Sequence, residues 1–176
     1  MRIVSGKYKG RRIDPPSNIT ARPTTDFAKE ALFNVLTNRV DFEELTVLDL
    51  FAGTGSISLE FASRGSTSIT AVEMSKTQAN FIRKISNDLQ IDSINLVQAD
   101  VFRFIKSCTA KFDLIFADPP YQLPTLQTLP DLLFEKGLLK EQGLFILEHP
   151  SKINFDTHSR FKEHRNYGNV HFSFFE

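Results

Sequence analysis

Short apolar runs alternate with amphipathic segments along most of the chain, which is the pattern of a parallel sheet with helices on both faces. Each apolar run has the length of a buried strand, and the amphipathic segments repeat their apolar residues at helical spacing. Strands are predicted at residues 47–51, 69–72, 94–97, 112–117 and 143–147. Helices are predicted at about residues 25–39, 56–64, 75–89, 101–105 and 126–134, with Pro130 as a kink or break in the last one. The alternation favours an α/β fold with a doubly wound sheet.

A different period appears near the end of the chain. Val170, Phe172 and Phe174 alternate with His171 and Ser173, which is the period of a half-buried antiparallel strand. The other strands are expected to be parallel, and ligands bind such sheets beside the carboxyl ends of the strands. The residues that directly follow each predicted strand are therefore the first candidates for a functional site.

Acidic residues and a glycine turn stand at three of these strand ends. Asp49 precedes a turn with Gly53 and Gly55, where the missing side chains allow a ligand to approach the main chain closely. Glu73 follows the second strand, where an acid binds ribose hydroxyl groups in nucleotide-binding sheets. Asp100 follows the third strand and could accept a hydrogen bond from an adenine amine. The two strand-end acids favour a nucleoside cofactor without a pyrophosphate, namely S-adenosylmethionine.

The alternative cofactor for such a turn is NAD, and one position weakens that alternative. Ser58 stands where the dinucleotide fingerprint has its third glycine. Phe51 in the turn and Val101 after Asp100 complete the residues that we predict to bind the cofactor.

The fourth predicted strand is followed at once by Asp118-Pro119-Pro120-Tyr121. This motif suits the alkylation of a planar exocyclic amine, whose lone pair is delocalised into the ring. The Asp118 carboxylate and the Pro119 carbonyl could accept from the amine and stabilise the positive charge that develops on nitrogen. Tyr121 offers a face on which the base could stack. We therefore predict Asp118, Pro119 and Tyr121 as the catalytic residues, although the motif alone does not separate guanine from adenine.

Length and composition are those of an ordinary globular protein of one domain. The chain has 176 residues, of which 41% are hydrophobic and 24% are charged. Its single cysteine excludes an internal disulfide framework, and its four histidines are scattered along the sequence without metal-ligand spacing. No apolar signal region or membrane span is recognisable. We expect a cytoplasmic protein without a bound metal.

The net charge of zero conceals a basic N-terminal arm. Residues 1–22 hold six basic side chains against one acidic side chain, whereas residues 23–150 hold 11 basic and 17 acidic ones. Such asymmetry is typical of a protein that binds nucleic-acid phosphates. A solvated N-terminal tail is the alternative, and the charge alone leaves both open. The candidate RNA-binding residues are Arg2, Lys7, Lys9, Arg11, Arg12 and Arg22.

With these motifs in view, the whole chain resembles the bacterial 16S ribosomal RNA guanine-N2 methyltransferases called RsmD. The most specific parts of the resemblance are residues 5–12, residues 22–26 with 30–34, residues 48–55 and residues 112–121. The resemblance implies a class I, Rossmann-like methyltransferase fold with a seven-stranded sheet and an antiparallel last strand. It divides the chain into a basic arm, residues 1–22, and a single methyltransferase domain, residues 23–176.

The same resemblance implies roles for the candidate residues. Asp49, Gly53 and Gly55 would lie by the methionine end of S-adenosylmethionine, Glu73 by its ribose and Asp100 by its adenine. Residues 118–121 would lie by the amine of a guanine in 16S ribosomal RNA. The partner would be that RNA within a small ribosomal subunit or its precursor, and the enzyme would act as a monomer.

Two other functions stay open at this point. An adenine-N6 methyltransferase on DNA or RNA could use the same motif, although the chain has no room for a separate target-recognition domain. A non-catalytic RNA-binding assembly factor could keep the fold, although the intact Asp118 and the glycine turn argue against it.

Overall fold

A computed structural model describes residues 1–16 and 25–176 of the chain. The strands are β1 (Thr46–Leu50), β2 (Ser68–Val72), β3 (Ile94–Val97), β4 (Phe112–Ala117), β5 (Leu139–His149), β6 (Phe161–Tyr167) and β7 (Val170–Phe175). The α-helices are α1 (Asp26–Thr37), α2 (Ser56–Ser63), α3 (Lys76–Asp88), α4 (Val101–Ser107) and α5 (Leu129–Lys136). Short 3-10 turns lie at Phe42–Glu44 and Leu126–Thr128.

All seven strands form one sheet in the order β3-β2-β1-β4-β5-β7-β6. Strands β1 to β5 are parallel to one another, whereas β7 runs antiparallel between β5 and β6. One face of the sheet packs with α4 and α5 in a core that includes Ile115 and Leu133. The other face packs with α1 and α2 around Phe33, Phe61 and Phe116. The predicted doubly wound α/β sheet with an antiparallel last strand is confirmed.

The predictions for the strands and helices around the first four strand ends agree closely with the structure. The bounds of β3 and β4 are the predicted ones, and β1 and β2 differ from theirs by one residue. The helix that was expected to begin near residue 25 has Thr25 as its N-cap, and the Thr25 side chain accepts from the main-chain N of Ala28. The predicted site residues therefore follow the strands that the sequence predicted.

Two predictions in the second half of the chain are wrong, and one needs a closer description. The predicted helix 126–134 is divided into a 3-10 turn, Leu126–Thr128, and α5, and Pro130 stands in the first turn of α5, where its missing N–H has no helical partner to lose. Strand β5 is longer at both ends than residues 143–147. Strand β7 is not half-buried, because both faces of its second half are covered. Ser173 is 1% exposed and its Oγ lies 2.8 Å from the Nε2 of His149, while Phe172 and Phe174 are buried on the opposite face.

Strand β6 has no counterpart among the individually predicted strands. It is an edge strand whose neighbouring side chains alternate between exposed and half-buried, and it carries the sequence Lys162-Glu163-His164-Arg165. Charged side chains on an edge strand discourage pairing with other chains, and they also remove the apolar run that identifies a strand. The sequence indicated β6 only through the total of seven strands that the family resemblance implies.

The N-terminal loop (residues 1–16) is folded against the body of the protein. Ile3 and Ile13 are buried and pack with Leu59 of α2 and Phe81 of α3. Main-chain hydrogen bonds join the two arms of the loop, including one of 3.0 Å from the N of Ile3 to the O of Arg11. The solvated-tail alternative is therefore wrong for these residues. Arg22 lies outside the described residues.

None of the helices within residues 1–16 and 25–176 has both the length and the apolar character that a membrane crossing requires.

Candidate functional site

The carboxyl ends of β1, β2, β3 and β4 lie side by side at one edge of the sheet. Leu50 of β1 is in register with Val72 of β2 and with Ala117 of β4, and Val72 is in register with Val97 of β3. The loops that leave these strands therefore emerge together. They carry the glycine turn, Glu73, Asp100 and the Asp118–Tyr121 motif, so the structure brings the predicted donor and acceptor residues to the same edge.

The carboxylate of Glu73 joins the second strand end to the glycine turn. Its Oε2 accepts from the N of Gly53 at 2.8 Å, and its Oε1 accepts from the N of Ser75 at 2.7 Å. Glu73 is 8% exposed, so its side chain is held at a fixed place on the rim. A carboxylate held in this way by main-chain N–H groups is a preorganised acceptor for hydroxyl groups of a ligand.

The glycine turn needs glycine at its second position. Gly55 has φ +77, which favours a residue without a side chain, and a Cβ atom there would lie 2.9 Å from the Cγ1 of Ile82 in α3. The turn therefore packs directly on α3 and presents its main chain to the rim. The contact that requires glycine here is with α3, and the predicted approach of a cofactor to the turn stays a prediction.

The side chain of Asp49 points into the protein and is hydrogen-bonded to the first turn of α2. The side chain is 1% exposed, and its Oδ2 accepts from both the N and the Oγ of Ser58, at 3.1 and 2.5 Å. These bonds explain why a serine occupies the position of the third fingerprint glycine. Burial raises the pKa of Asp49 to about 7, against the opposing effect of the Ser58 hydrogen bonds. Asp49 therefore acts on the turn between β1 and α2 by fixing its geometry.

The buried carboxyl group of Asp49 makes the stability of the fold depend on pH. Because its pKa is raised from 3.8 to about 7, the folded protein keeps a proton that the unfolded chain releases in this interval. Its contribution to stability is complete below the lower value and is lost as the pH rises through the upper one. We expect the unfolding free energy of Asp49→Asn to rise, relative to that of the unmodified protein, by about 2 to 4 kcal/mol across this interval. Urea unfolding at both ends of the interval measures it, and a constant difference would contradict the assignment.

Asp100 and Val101 stand at the beginning of α4. Asp100 is the N-cap, and its Oδ1 accepts from the N of Arg103 at 2.9 Å. Val101 is 3% exposed with its side chain in the core, so a contact from this residue to a ligand would come from its main chain. Phe51 adopts φ 61, and its ring meets the half-buried Phe102 edge-on with centroids 6.4 Å apart.

Two further residues on the donor side were not predicted. Met74 directly follows Glu73 and is 67% exposed, which is unusual for a large apolar side chain. In the sequence, Met74 could have been identified by its position directly after Glu73. Gln78 supplies its N to the Oγ of Ser75 at 3.5 Å, but its side-chain amide, oriented as a donor, lies 3.1 Å from the Oε2 of Glu73. The Ser75 side chain therefore caps α3, while the Ser75 N–H is bound by Glu73.

The acceptor motif leaves β4 as a tight turn. The N of Asp118 donates to the O of Leu50 at 3.4 Å, and the N of Leu123 donates to the O of Pro120 at 2.8 Å. Pro119 is buried, Asp118 is half-buried and Tyr121 is 39% exposed. Asp118 and the face of an aromatic ring thus stand together at the end of β4.

A buried glutamate on β5 completes the acceptor side and was missed from the sequence. The hydroxyl group of Tyr121 donates to the Oε1 of Glu148 at 3.1 Å, and Glu148 is 4% exposed. Burial, and then the charges of Glu148 and Asp118, raise the pKa of Tyr121 well above its ordinary value. The phenol therefore stays protonated and remains a donor. Applying the strand-end rule to the fifth strand would have found Glu148, which directly follows the predicted end at residue 147.

The N-terminal loop lies beside the glycine turn. The buried ammonium group of Lys29 donates to the O of Arg2 at 2.6 Å and to the Oγ of Ser56 at 3.1 Å. The hydroxyl group of Thr54 donates to the Sδ of Met1 at 3.4 Å. The loop presents exposed basic side chains, namely Arg2, Lys7, Lys9, Arg11 and Arg12. The basic surface and the donor side of the site are therefore neighbours.

Three of the four histidines, which are scattered in the sequence, are gathered by the last three strands. The rings of His149, His164 and His171 lie with their centroids 5.1 to 6.0 Å apart, and the Nε2 of His164 is 3.0 Å from the Nδ1 of His171. Burial lowers the pKa of His149 and of His171, which favours the neutral rings. Across residues 1–16 and 25–176, no group of three metal-binding side chains is suitably arranged for an ion.

Comparison with known proteins gives a consistent set of similarities. The whole chain, residues 1–176, matches the family described as "Conserved hypothetical protein 95". Ribosomal RNA small subunit methyltransferase D of Buchnera aphidicola subsp. Baizongia pistaciae is 32% identical over 154 residues, which are 88% of this chain and 78% of that protein. The protein of the same name from Escherichia coli (strain K12) is 30% identical over 148 residues, which are 84% of this chain and 74% of that protein.

Solved structures agree with the fold. The putative methyltransferase yhhF from Escherichia coli has a TM-score of 0.86 at 26% identity, over 99% of this chain and 96% of that one. A Thermus thermophilus 16S rRNA N2 G1207 methyltransferase (RsmC) in complex with AdoMet and guanosine has a TM-score of 0.71 at 20% identity, over 89% of this chain and 44% of that one. The second similarity concerns the fold alone.

Proposed function

This chain belongs to the family described as conserved hypothetical protein 95, and from its site and its named relatives together we propose that it is an S-adenosylmethionine-dependent methyltransferase of 16S ribosomal RNA. The methyl acceptor is the exocyclic N2 amine of a guanine. The observation that carries the proposal is the meeting of two half-sites at one edge of the sheet: the glycine turn with Glu73, and the Asp118–Tyr121 motif. Curated relatives bear the name ribosomal RNA small subunit methyltransferase D, which supports the choice of RNA.

The donor side fits S-adenosylmethionine by its shape and its charge. Gly55 lets the turn pack on Ile82 of α3, and Gly53 leaves free the space that a side chain would otherwise occupy, so the main chain of the turn is available to the cofactor. Glu73 would hold the ribose hydroxyl groups, and Asp100 at the start of α4 would accept from the adenine amine. When bound, the cofactor supplies a methyl group activated by a sulfonium sulfur. S-adenosylmethionine has a positively charged sulfonium group and no phosphate. Two carboxylates beside it are therefore not repelled by the cofactor.

The acceptor side would direct the lone pair of the amine. Asp118 and the carbonyl of Pro119 accept from the two N–H bonds of the amine, which localises the lone pair and stabilises the charge that grows on nitrogen. Tyr121 stacks on the base and fixes its plane. The methylated amine is acidic while it still carries its extra proton, so a carboxylate or water can remove that proton after the transfer. Positioning supplies most of the catalysis.

The identity of the methylated nucleoside tests the proposal. 16S ribosomal RNA and small subunits from a strain that lacks the gene are incubated with the protein and labelled S-adenosylmethionine, digested to nucleosides and analysed by mass spectrometry. We expect N2-methylguanosine. N6-methyladenosine would overturn the choice of guanine, and a lack of both methyl transfer and cofactor binding would favour an assembly factor. The comparison of RNA with subunits also tests the proposed partner.

The basic N-terminal loop is the proposed contact for the RNA backbone. Replacing Arg11 and Arg12 with glutamine should weaken RNA binding, and it should lower the slope of log affinity against log salt by about 1 to 2 units because two phosphate contacts are lost. Filter binding at several salt concentrations measures the slope. Lys106 in the last turn of α4 and Lys111 directly before β4 are exposed and lie outside the N-terminal loop, so their double glutamine variant is the matched control. An unchanged slope in the arginine variant would contradict the assignment.

A further inference from the structure

Glu148 is a buried carboxylate beside the acceptor motif, and the proposed reaction assigns it no part. It belongs to β5, where Leu147 is in register with Ala117 of β4, so Glu148 stands next to Asp118 at the sheet edge. Its Oε1 accepts from the hydroxyl group of Tyr121 at 3.1 Å. The geometry points to Glu148 as a positioning residue: it holds the ring of Tyr121 in the orientation in which the target base stacks. This inference rests on the proposed function.

Tyr121 needs a residue that fixes the orientation of its ring, because it lies on a turn and is partly exposed. The tyrosine is the third residue after Asp118, in the turn that the bond from Leu123 to Pro120 closes, and it is 39% exposed. An exposed aromatic side chain on a turn samples several rotamers, and stacking on a base would have to fix one of them. A hydrogen bond at the far end of the ring fixes the orientation in advance, which lowers the entropy lost when the base binds.

Glu148 is suited to anchor this hydroxyl group. It is 4% exposed and lies on a strand paired on both sides, with β4 and with β7, so its own position is fixed by the sheet. A buried carboxylate needs donors, and the Tyr121 hydroxyl group supplies one. The raised pKa of Tyr121 keeps that donor protonated across the physiological range. The bond therefore links a rigid strand to a side chain on a turn.

Substitutions at the two ends of this bond separate positioning from direct participation. Tyr121→Phe keeps the ring and removes the donor, Glu148→Met removes the acceptor at similar volume, and Glu148→Gln keeps an acceptor oxygen without the charge. We expect Tyr121→Phe and Glu148→Met each to raise the KM for RNA by roughly ten-fold, with a smaller change in kcat. The double variant should be no worse than either single variant, because both remove the same bond. Glu148→Gln should retain a KM within about three-fold of that of the unmodified protein.

A carboxylate elsewhere on the same pair of strands controls for the loss of stability. Asp113 at the opposite end of β4 accepts from the hydroxyl group of Thr46 at 2.6 Å and from Lys140 at 2.7 Å. Asp113→Asn removes the charge of a partly exposed carboxylate on the same strand, and with it the ion pair to Lys140, without approaching the site, and we expect it to leave the KM for RNA unchanged. If Asp113→Asn raises the KM as Glu148→Met does, or if the effects of Tyr121→Phe and Glu148→Met add in the double variant, the inference is overturned. A Glu148→Gln variant as impaired as Glu148→Met would also overturn it and indicate a need for the charge.

A spectroscopic measurement tests the bond without any substrate. With ¹³C-labelled tyrosine, the Cζ resonance of Tyr121 is assigned by its absence in Tyr121→Phe, and we expect it to shift in Glu148→Met and to stay in place in Asp113→Asn. If this shift is seen but no RNA is methylated, the proposed function fails while the bond stands. If RNA is methylated but the resonance does not move in Glu148→Met, the positioning role fails while the proposed function stands.

Discussion

Replacing Asp118 with alanine is expected to lower the rate of methyl transfer by about a thousand-fold, because it removes an acceptor that acts where positive charge develops. The affinity for S-adenosylmethionine should stay nearly the same. The reason lies in the geometry: the glycine turn and Glu73 belong to the first two strand ends, whereas Asp118 follows β4. Single-turnover assays with saturating cofactor measure the rate, and calorimetry measures the affinity.

A second variant at the same position refines the expectation. Asp118→Asn keeps an acceptor oxygen in the same place and loses the charge, so its rate should lie between those of the alanine variant and the unmodified protein. A rate for Asp118→Ala close to that of the unmodified protein would refute the catalytic role. A large loss of cofactor affinity in Asp118→Ala would instead place the carboxylate on the donor side.

Gly6→Ala is expected to undock the N-terminal loop and to lower the free energy of unfolding by about 3 kcal/mol. Gly6 has φ +80 and packs against α2 so closely that a Cβ atom would lie 1.7 Å from the carbonyl O of Ser63. Neither atom can yield easily, because the carbonyl group belongs to the helix and accepts from the N of Lys7 at 2.7 Å. Relief therefore requires residues around Gly6 to leave α2, which exposes Ile3 and leaves Glu60 without the N–H groups of the loop.

Gly10 provides a matched control in the same loop. It has φ +82, so alanine there bears the same unfavourable backbone conformation, but no atom lies within 4 Å of its would-be Cβ. Gly10→Ala should therefore cost only about 1 kcal/mol. Urea unfolding measures both variants, and trypsin cleavage within residues 1–16 reports undocking. Equal losses would show that backbone conformation, and not the contact with α2, governs the effect.

The donor side of the site is well predicted from sequence because each of its residues directly follows an apolar run. Asp49, Glu73 and Asp100 can be located once the strands are known, since parallel strands end together. Their individual partners are not predictable in the same way. That Asp49 turns inward to Ser58 and Glu73 bonds to Gly53 depends on side-chain directions, which the spacing of residues does not encode.

Long-range pairing explains the features that sequence reasoning missed. Lys29 resembles a surface residue of an amphipathic helix, yet it is 1% exposed because Glu60 and the main chain of Arg2 surround it from distant parts of the chain. Ile3 and Ile13 are two isolated apolar residues among cations, and only their joint burial against α2 and α3 makes the loop part of the fold. Glu148 directly follows the predicted end of β5, but its bond to Tyr121 joins residues 27 positions apart, which the sequence does not indicate.

The place of β7 in the sheet makes the surroundings of Glu148 depend on the last residues of the chain. Strand β7, and not β6, pairs with β5, and Phe172 stands opposite Glu148 at its outer edge. The pairs among β1, β2, β3 and β4, whose ends carry the glycine turn, Glu73 and Asp118, do not involve β7. Loss of the final strand would therefore remove a partner of β5 beside Glu148 and none of the pairing partners of those four strands.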